Sequence, residues 1–318
     1  MEFRNNRCCG AFKGYEQKKC IHCGSPITKK NGMVDGRQLY KCHACGKQFL
    51  GGERRDPRAI FAEYLEGKQT YEQLAEKYGC SKRTIQRCLD KVKPSRSDEF
   101  PPVANVVMDT TYFGRKFGVM VFKNSIDGTV LLKKYVKNET VEGYVSGIAE
   151  IARRGISVQA IVCDGRKGVI QAFPDIPVQS CQFHQVKTIT KYLTRKPKLA
   201  AAKELRAVSL KLVGSTEAEF AGMLDAWLEK WGKVLRERST NEETGKTFYT
   251  HKPLRSAYRS LRNNMPHLFV FERWKELGIP NTTNALDGQF SDLKNKLRNH
   301  NGLSAERKRK LIDEYFSA

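Results

Sequence analysis

Four cysteines near the start of the chain, spaced C-x2-C-x18-C-x2-C, constrain its folding more than any other feature. They are Cys20, Cys23, Cys42 and Cys45, and a glycine follows each pair. Four thiolates suit a tetrahedral Zn²⁺, and about forty residues cannot build a sufficient hydrophobic core without such a metal. A redox pair or free thiols at chance spacing are the alternatives. The doubled spacing and the hairpin-like segment between the pairs favour a zinc ribbon over residues 13–52.

The charge balance indicates the kind of partner. The 318 residues include 57 Lys and Arg against 34 Asp and Glu, a formal net charge of +23. This excess favours nucleic acid, because Lys and Arg that neutralise phosphates release counterions. No apolar run approaches the roughly 18 residues that span a bilayer, and the first residues lack the apolar segment of a signal peptide. Scattered cysteines in such a chain are typical of a reducing, cytoplasmic compartment.

A helical pattern covers residues 56–93 and predicts three short helices. N-cap signals stand at Thr70, with Gln73 three residues later, and at Ser81. The third helix has an apolar side formed by Ile85, Cys88, Leu89 and Val92. On or near its exposed side lie the residues expected to contact DNA, which are Lys82, Arg83, Thr84, Gln86 and Arg87. A helical hairpin with a solvated basic face is the alternative, but the zinc ribbon and the net charge favour a helix-turn-helix DNA-binding domain.

The rest of the chain predicts an α/β core interrupted by helices. Residues 94–102 are polar and proline-rich, which indicates a linker. Apolar and alternating runs over 103–196 predict strands and helices that begin βββαβ, the order of a ribonuclease H-like core. Residues 197–280 have a helical pattern and predict an all-α insertion. Residues 281–318 complete the core with two helices rich in Lys and Arg, the first carrying a third acidic residue.

Two acidic residues end predicted neighbouring strands, and a third begins a late helix. Asp109 and Asp164 would face one cleft, where paired carboxylates could bind Mg²⁺ or Mn²⁺ for two-metal phosphodiester chemistry. Taken singly, each Asp could equally be a turn former. Asp287 lies beside an apolar helical stripe formed by Leu286, Phe290, Leu293 and Leu297. It is a candidate third ligand or, alternatively, a helix-capping residue.

A C-x-x-H arrangement and a run of basic residues follow the fifth strand of the predicted core. Cys181 and His184 could bind a metal, but without a second pair nearby we interpret them as structural residues flanking the cleft. Lys187, Lys191 and Arg195 recur every four residues on a predicted helix and are candidate DNA contacts. Basic residues in the last two helices could extend a phosphate track, namely Lys294, Lys296, Arg298, Lys308, Arg309 and Lys310.

Four segments together resemble the DDE transposases of the Mutator-like superfamily, particularly those of bacterial insertion sequences. They are VVMDTTYF, IVCDGRKGVIQAF, QSCQFHQVK and NTTNALDGQFSDLKNKLRNHNGLS, and the resemblance spans roughly residues 100–316. It implies Asp109, Asp164 and Asp287 as catalytic Mg²⁺ ligands, cutting at inverted-repeat ends, and joining of 3′-hydroxyls to target DNA. It also implies a homodimer or larger assembly on double-stranded DNA, in the bacterial nucleoid.

The chain departs from that family at its third acid, where glutamate is usual and Asp287 stands. Aspartate is one methylene shorter, so the helix would have to approach the metals by about 1 Å more. Glu272 and Glu276 lie nearby in sequence as possible substitutes. The alternatives to an active transposase are therefore a domesticated, catalytically weak DNA-binding regulator and a ribonuclease H-like nuclease that does not transpose.

Overall fold

The chain is described by a computed structural model over residues 18–51, 55–93, 100–115, 117–300 and 302–316. It divides into two compact units, with the boundary between Val92 and Lys93. Residues 13–17 and 52 of the predicted ribbon and residues 94–99 of the predicted linker lie outside the described residues. No helix in the described part of the chain is long and apolar enough to cross a membrane.

The first unit begins with a small antiparallel sheet in the order β1-β2-β3. Its strands are β1 Thr28–Val34, β2 Arg37–Cys42 and β3 Gln48–Leu50. The apolar contacts under this sheet are few, namely Cys20, Cys42 and Phe49 with Tyr40 and Cys45 against them. So small a core cannot hold the segment together by hydrophobic burial alone.

Three helices follow in the same unit, α1 Pro57–Leu65, α2 Tyr71–Lys77 and α3 Lys82–Lys91. The predicted capping box of α2 is present, with Thr70 and Gln73 bonded reciprocally, and Ser81 caps α3 through the Thr84 N–H. The Arg55 guanidinium, just before α1, donates to the carbonyl oxygens of Tyr78 and Gly79, just after α2. The apolar side of α3 is buried at Ile85, Leu89 and Val92, whereas Cys88 is half-buried.

The second unit is built on a mixed five-stranded sheet in the order β6-β5-β4-β7-β8. Its strands are β4 Val103–Phe113, β5 Phe117–Asn124, β6 Val130–Val136, β7 Ser157–Cys163 and β8 Val178–Ser180. The pairs β4–β5 and β5–β6 are antiparallel, whereas β4–β7 and β7–β8 are parallel. The central strand β4 is buried over five consecutive residues, 104–108, as expected for a strand covered on both faces.

Helices connect the later strands of the sheet, and the first of them covers strands of its antiparallel half as well. The helices are α4 Val141–Arg153 between β6 and β7, α5 Lys167–Ala172 between β7 and β8, and α6 Gln182–Leu193 after β8. The core under α4 includes Tyr144, Ile148 and Ile151 against Met120 and Phe122 of the sheet. Gly147 lets α4 approach closely, because a Cβ there would overlap the Phe122 ring.

Residues 197–280 form a mostly helical body with a core of its own. Its helices are α7 Ala200–Leu210, α8 Glu217–Arg236, α9 Lys252–Leu268 and α10 Val270–Arg273, with short 3₁₀ turns at Leu212–Gly214 and Lys275–Leu277. Trp227, Phe220 and Leu261 are buried in this core, and the Trp227 indole N–H donates to the Ala201 carbonyl oxygen over 3.0 Å.

Two features of the second unit differ from the sequence prediction. The stretch predicted as all-α contains a two-stranded hairpin, β9 Arg238–Thr240 and β10 Thr247–Tyr249. Its turn is held by the Asn241 side chain, which accepts from the Glu243 and Thr244 N–H groups. Three-residue strands are too short for a period-two pattern to reveal them.

The predicted helix carrying Lys187, Lys191 and Arg195 also ends earlier than expected. α6 stops at Leu193, and Thr194 has φ 65°. A β-branched residue in the left-handed region breaks the helical path, so Arg195 lies beyond the helix and does not share its face.

The chain closes with α11 Asn284–Arg298 and α12 Ala305–Tyr315. The predicted stripe of Leu286, Phe290, Leu293 and Leu297 is buried. α11 packs against β4, the strand that carries Asp109, and α12 packs against α11. The tertiary fold thus brings the late helix with Asp287 to the central strand of the sheet.

Candidate active site and metal centre

The four cysteines of the first unit converge on one point. One sulfur atom from each lies within 4.8 Å of all the others. Cys20 Sγ lies 3.6 Å from Cys45 Sγ, and Cys23 Sγ lies 3.6 Å from Cys42 Sγ. Four sulfurs arranged tetrahedrally at about 2.3 Å from Zn²⁺ would be about 3.8 Å apart. The donor type and spacing therefore fit a structural zinc ion.

Two matching turns present these sulfurs. Gly24 N–H donates to the Cys20 carbonyl oxygen, and Gly46 N–H donates to the Cys42 carbonyl oxygen. Both glycines have positive φ, 74° and 70°, which a residue with a side chain rarely adopts. A hydrogen bond from the backbone of Cys45 lowers the pKa of the Cys42 thiol to about 7, whereas hydrogen bonds with the neighbouring thiols, that of Cys45 first, raise the pKa of the Cys23 thiol to about 12. Of these two cysteines, Cys42 therefore more readily forms the thiolate that binds metal.

In the second unit, the sheet register explains why Asp109 and Asp164 come together. β4 and β7 are parallel neighbours, with Val107 opposite Val162. Continuing that register by two residues brings Asp109 opposite Asp164, directly after the end of β7. The two aspartates therefore lie on neighbouring strands, as the sequence predicted. Asp109 does not end its strand, however, because β4 stays paired with β5 as far as Phe113.

Asp109, His184 and Asp287 form one compact group. One ligand atom of each lies within 4.8 Å of the other two, and Asp164 is not a member of the group at that distance. The three come from β4, α6 and α11, so only the tertiary fold could assemble them. Sequence reasoning treated His184 as a structural residue flanking the cleft, whereas it lies among the carboxylates.

The electrostatics of Asp109 reflect its surroundings. Burial, followed by the nearby charges of Asp287 and Asp164, raises the pKa of Asp109 to about 7, although the Thr110 N–H and His184 oppose the shift. Carboxylates gathered in a half-buried site repel one another. A divalent cation would relieve that repulsion, which is a property expected of a metal site.

Thr283 connects the group at the start of α11, and sequence reasoning did not select it. It is 1% exposed, and its Oγ1 donates to Asp287 Oδ2 over 3.0 Å. The same Oγ1 lies 3.4 Å from His184 Nδ1, and the Thr283 N–H donates to Cys181 Sγ over 3.3 Å. Thr283 holds the N-cap position without making the usual capping bond, so its hydroxyl serves the carboxylate instead. Its position just before the predicted helix was the available signal.

Cys181 and His184 are linked to each other at this site. Cys181 is buried, and burial alone would raise the pKa of its thiol. Hydrogen bonds from His184 and Thr283 nevertheless leave that pKa lowered. The hydrogen bond with Cys181, together with the charges of Asp287 and Asp109, raises the pKa of His184. The two carboxylates thus favour the protonated form of the His184 imidazole.

Three buried glutamines in the segment QSCQFHQVK hold the site to the helical body, and sequence reasoning missed them. The Gln179 and Gln182 side chains both donate to the Leu268 carbonyl oxygen, over 2.8 and 2.9 Å. Gln185 donates to Ser260 Oγ over 3.0 Å. The sequence signal was the spacing of three glutamines, three residues apart, before a basic helix. Such amides, once buried, need hydrogen-bond partners from the rest of the fold.

Glu139 links the surroundings of Asp109 and Asp164 through hydrogen bonds and an ion pair. Its carboxylate accepts from the Tyr144 hydroxyl over 2.8 Å and pairs with Arg166 over 3.1 Å. Tyr144 contacts Thr110 Oγ1 at 2.9 Å, and the Arg166 N–H donates to Asp164 Oδ1 over 3.1 Å. The Thr110 side chain, next to Asp109, and Arg166, which holds the Asp164 carboxylate, are thereby linked to a common acid.

Glu272 and Glu276 are not in the acidic group among the described residues. Both carboxylate oxygens of Glu272 accept from the Glu217 N–H at the start of α8. Glu276 is exposed. Asp287 is therefore the late acidic residue that the fold brings to Asp109.

The predicted DNA contacts are on the surface of each unit. Lys82, Arg83 and Arg87 are exposed, although Lys82 pairs with Glu72. Thr84 and Gln86 are half-buried, and Thr84 takes part in the cap of α3. Lys187 and Lys191 are exposed on α6, and Arg195 is exposed beyond its end. The Lys187 ammonium lies over the Phe183 ring at 4.5 Å, beside His184.

Comparison with solved structures gives distant similarities. A Drosophila P element transposase strand transfer complex matches with 10% identity and a TM-score of 0.43, covering 86% of this chain and 93% of that one. A simian T-cell lymphotropic virus intasome in complex with PP2A regulatory subunit B56 gamma matches with 15% identity and a TM-score of 0.21. This second match covers 48% of this chain and 68% of that one. No curated protein matched the chain.

A family comparison is more informative. Residues 128–265 match the family described as "Transposase, Mutator family". The matched part starts just before β6 and runs through α4, β7, α6 and most of the helical body, so it includes Asp164, Cys181 and His184. Over these residues, which are less than half of its length, the chain is similar to the Mutator family of transposases.

Proposed function

We propose that this protein is a DNA transposase that cleaves the inverted-repeat ends of a mobile element and joins them to target DNA. The observation that carries the proposal is the meeting of Asp109, Asp287 and His184 within 4.8 Å, with Asp164 at the neighbouring strand end. The Mutator-family match over residues 128–265 supports transposition chemistry. We propose Asp109, Asp164 and Asp287 as the catalytic residues, on a core of ribonuclease H-like type.

The donor set fits divalent metal ions. Carboxylate oxygens are the ligands that Mg²⁺ and Mn²⁺ prefer, and substrate phosphates commonly complete their coordination. The short Asp287 can reach this group, because its carboxylate already lies within 4.8 Å of Asp109. When bound, such ions would activate the attacking oxygen and stabilise the leaving oxygen of the phosphodiester.

The protein's own part in this chemistry is to orient the three carboxylates. Each is held through one oxygen: Asp109 by the Thr110 N–H, Asp164 by the Arg166 N–H and Asp287 by the Thr283 hydroxyl. A carboxylate held in this way keeps its second oxygen for a ligand. Groups fixed before substrate arrives lose little freedom on reaction, which favours the transition state.

The first unit would supply DNA recognition. We propose a zinc ribbon over residues 13–52 held by Cys20, Cys23, Cys42 and Cys45, and a helix-turn-helix domain over 56–93. In this proposal α3 enters the major groove with Arg83 and Arg87 in contact with bases or phosphates. We further propose residues 94–102 as a linker, 103–196 and 281–318 as the catalytic core, and 197–280 as an insertion. The protein would act as a homodimer or larger assembly on double-stranded DNA, in the cytoplasm at the nucleoid.

Two other functions fit part of these observations. A domesticated, catalytically weak DNA-binding regulator is favoured by aspartate at position 287 instead of glutamate. A nuclease that cuts without joining would use the same acidic group. The three alternatives differ in their products: nicked and joined DNA, bound DNA only, or nicked DNA only.

The test is a Mg²⁺-dependent cleavage and strand-transfer assay on DNA spanning the flanks of the protein's own gene. The unaltered protein should nick and join that DNA, whereas Asp164→Ala should bind it and leave it intact. Binding with cleavage only by Asp287→Glu would replace the proposal with the regulator. Nicking without joined products would replace it with the nuclease.

A further inference from the structure

A concave pocket lies at the far end of α11 from the acidic group. It encloses about 330 Å³ between the end of β4, the last turns of α11 and the start of α12. Three of its lining residues are cations, Lys294, Arg298 and Lys308, and none is acidic among the described residues. Tyr112 of β4 forms an aromatic wall and is 39% exposed.

The three cations lack acidic partners within the described part of the chain. Neighbouring basic groups are engaged: Lys296 pairs with Asp292 over 3.3 Å, and the Arg309 guanidinium lies over Phe117 and Tyr135. Like charges gathered in a concavity repel one another and raise the local potential. An arrangement of this kind favours an anion between the charges, and an exposed aromatic ring beside it suits a sugar or base.

Helical geometry connects this pocket to the acidic group. Lys294 follows Asp287 by seven residues, so it lies on nearly the same face of α11 and roughly 10 Å further along the axis. Arg298 follows Lys294 by one further turn on that face. A distance of roughly 10 Å corresponds to about three base-pair steps of 3.4 Å.

Tyr112 ties the pocket wall to the acidic site as well. Its hydroxyl oxygen accepts from the Glu139 N–H over 2.7 Å. The Glu139 carboxylate in turn holds Tyr144, which contacts Thr110, and Arg166, which contacts Asp164. The aromatic wall is therefore held in a defined position relative to Asp109 and Asp164.

We infer that this pocket holds the phosphate backbone of the DNA strand about three nucleotides from the bond that is cleaved. Lys294, Arg298 and Lys308 bind its phosphates, and Tyr112 contacts the adjoining sugar or base. The inference rests on the proposed function for the identity of the strand. It assigns to the core a DNA contact separate from the recognition modules of the first unit.

The test compares the salt dependence of DNA binding by the full chain. The double variant Lys294→Gln/Arg298→Gln removes two pocket charges. The matched control, Lys203→Gln/Lys211→Gln, removes two exposed charges of the helical body. Binding of a duplex from the gene's own flanks is measured in Ca²⁺, without cleavage, at several salt concentrations.

Each phosphate contact contributes about 0.9 to the slope of log K against log salt concentration. We expect the pocket variant to reduce the slope by about 2 and the control variant to leave it unchanged. An unchanged slope in the pocket variant, or an equal reduction in the control, would overturn the inference. The slope is measured without cleavage. A failure of the unaltered protein to cleave DNA in Mg²⁺ would therefore count against the proposed function but not against this inference.

Discussion

At the scale of single residues, the acidic group depends on side chains that are individually unremarkable in sequence. Asp109 ends an apolar run and Asp287 begins a helix, both common places for aspartate. What distinguishes Asp109 is its pKa, which burial and the charges of Asp287 and Asp164 raise to about 7. The position of Thr283 just before a helix was visible in the sequence, but its contacts with Cys181 and His184 depend on the tertiary fold.

The raised pKa of Asp109 predicts a pH dependence of stability in the metal-free protein. The folded state binds this proton more tightly than the unfolded chain, so stability is greatest below the unfolded pKa, about 4, and falls as pH rises through about 7. Asp109→Asn should flatten this fall. Thermal unfolding of both proteins in EDTA between pH 4 and 8 measures this fall, with Asp175→Asn as the exposed control. Parallel curves for Asp109→Asn and the unaltered protein would contradict the prediction.

At the scale of elements, the helix and strand signals of the sequence were largely sufficient. The capping signals at Thr70 and Ser81 lie where α2 and α3 begin, and the apolar stripe of α11 is buried. The exceptions are local. The hairpin of β9 and β10 was too short to detect, and Thr194 ends α6 before Arg195.

The surroundings of two helical glycines predict that substitution by alanine has opposite effects on stability at the two positions. Gly147 in α4 faces Phe122, so Gly147→Ala should lower the free energy of unfolding by about 1–3 kcal/mol through overpacking. Gly222 in α8 is exposed and has open space around it, so Gly222→Ala should raise that free energy by about 0.5–1 kcal/mol. Urea unfolding of both variants measures the difference. Stabilisation by Gly147→Ala would show that α4 can move away from the sheet.

At the scale of the whole molecule, two compact units divide the chemistry. The four cysteines lie in the first unit, whose sheet has a small core, and the acidic group lies in the second, which has extensive cores. Stabilisation by a bound metal therefore concerns one unit far more than the other.

Zinc removal should unfold the first unit selectively. A strong chelator or Cys42→Ser should expose residues 18–51 to proteolysis, because a metal bound by the four cysteines would supply most of the stability of this small sheet. Residues 100–316 should keep their protection, and the intact protein should release about one zinc ion per chain. Mass spectrometry of proteolytic fragments with and without chelator checks both. Unchanged protection of residues 18–51 would contradict a structural metal.

The sequence by itself determined the local elements and the kinds of chemistry available. Cysteine spacing, N-caps, apolar periodicity and aspartates at strand ends are local signals, and each depends on residues close together in the chain. Only the tertiary structure decided which distant residues meet. His184 joined Asp109 and Asp287 because α11 packs against β4 and because Thr283, at the start of α11, contacts Cys181 and His184. The same packing of α11 placed Lys294 and Tyr112 in the lining of one pocket. Such contacts depend on how side chains fill space between elements, which no spacing within one segment specifies.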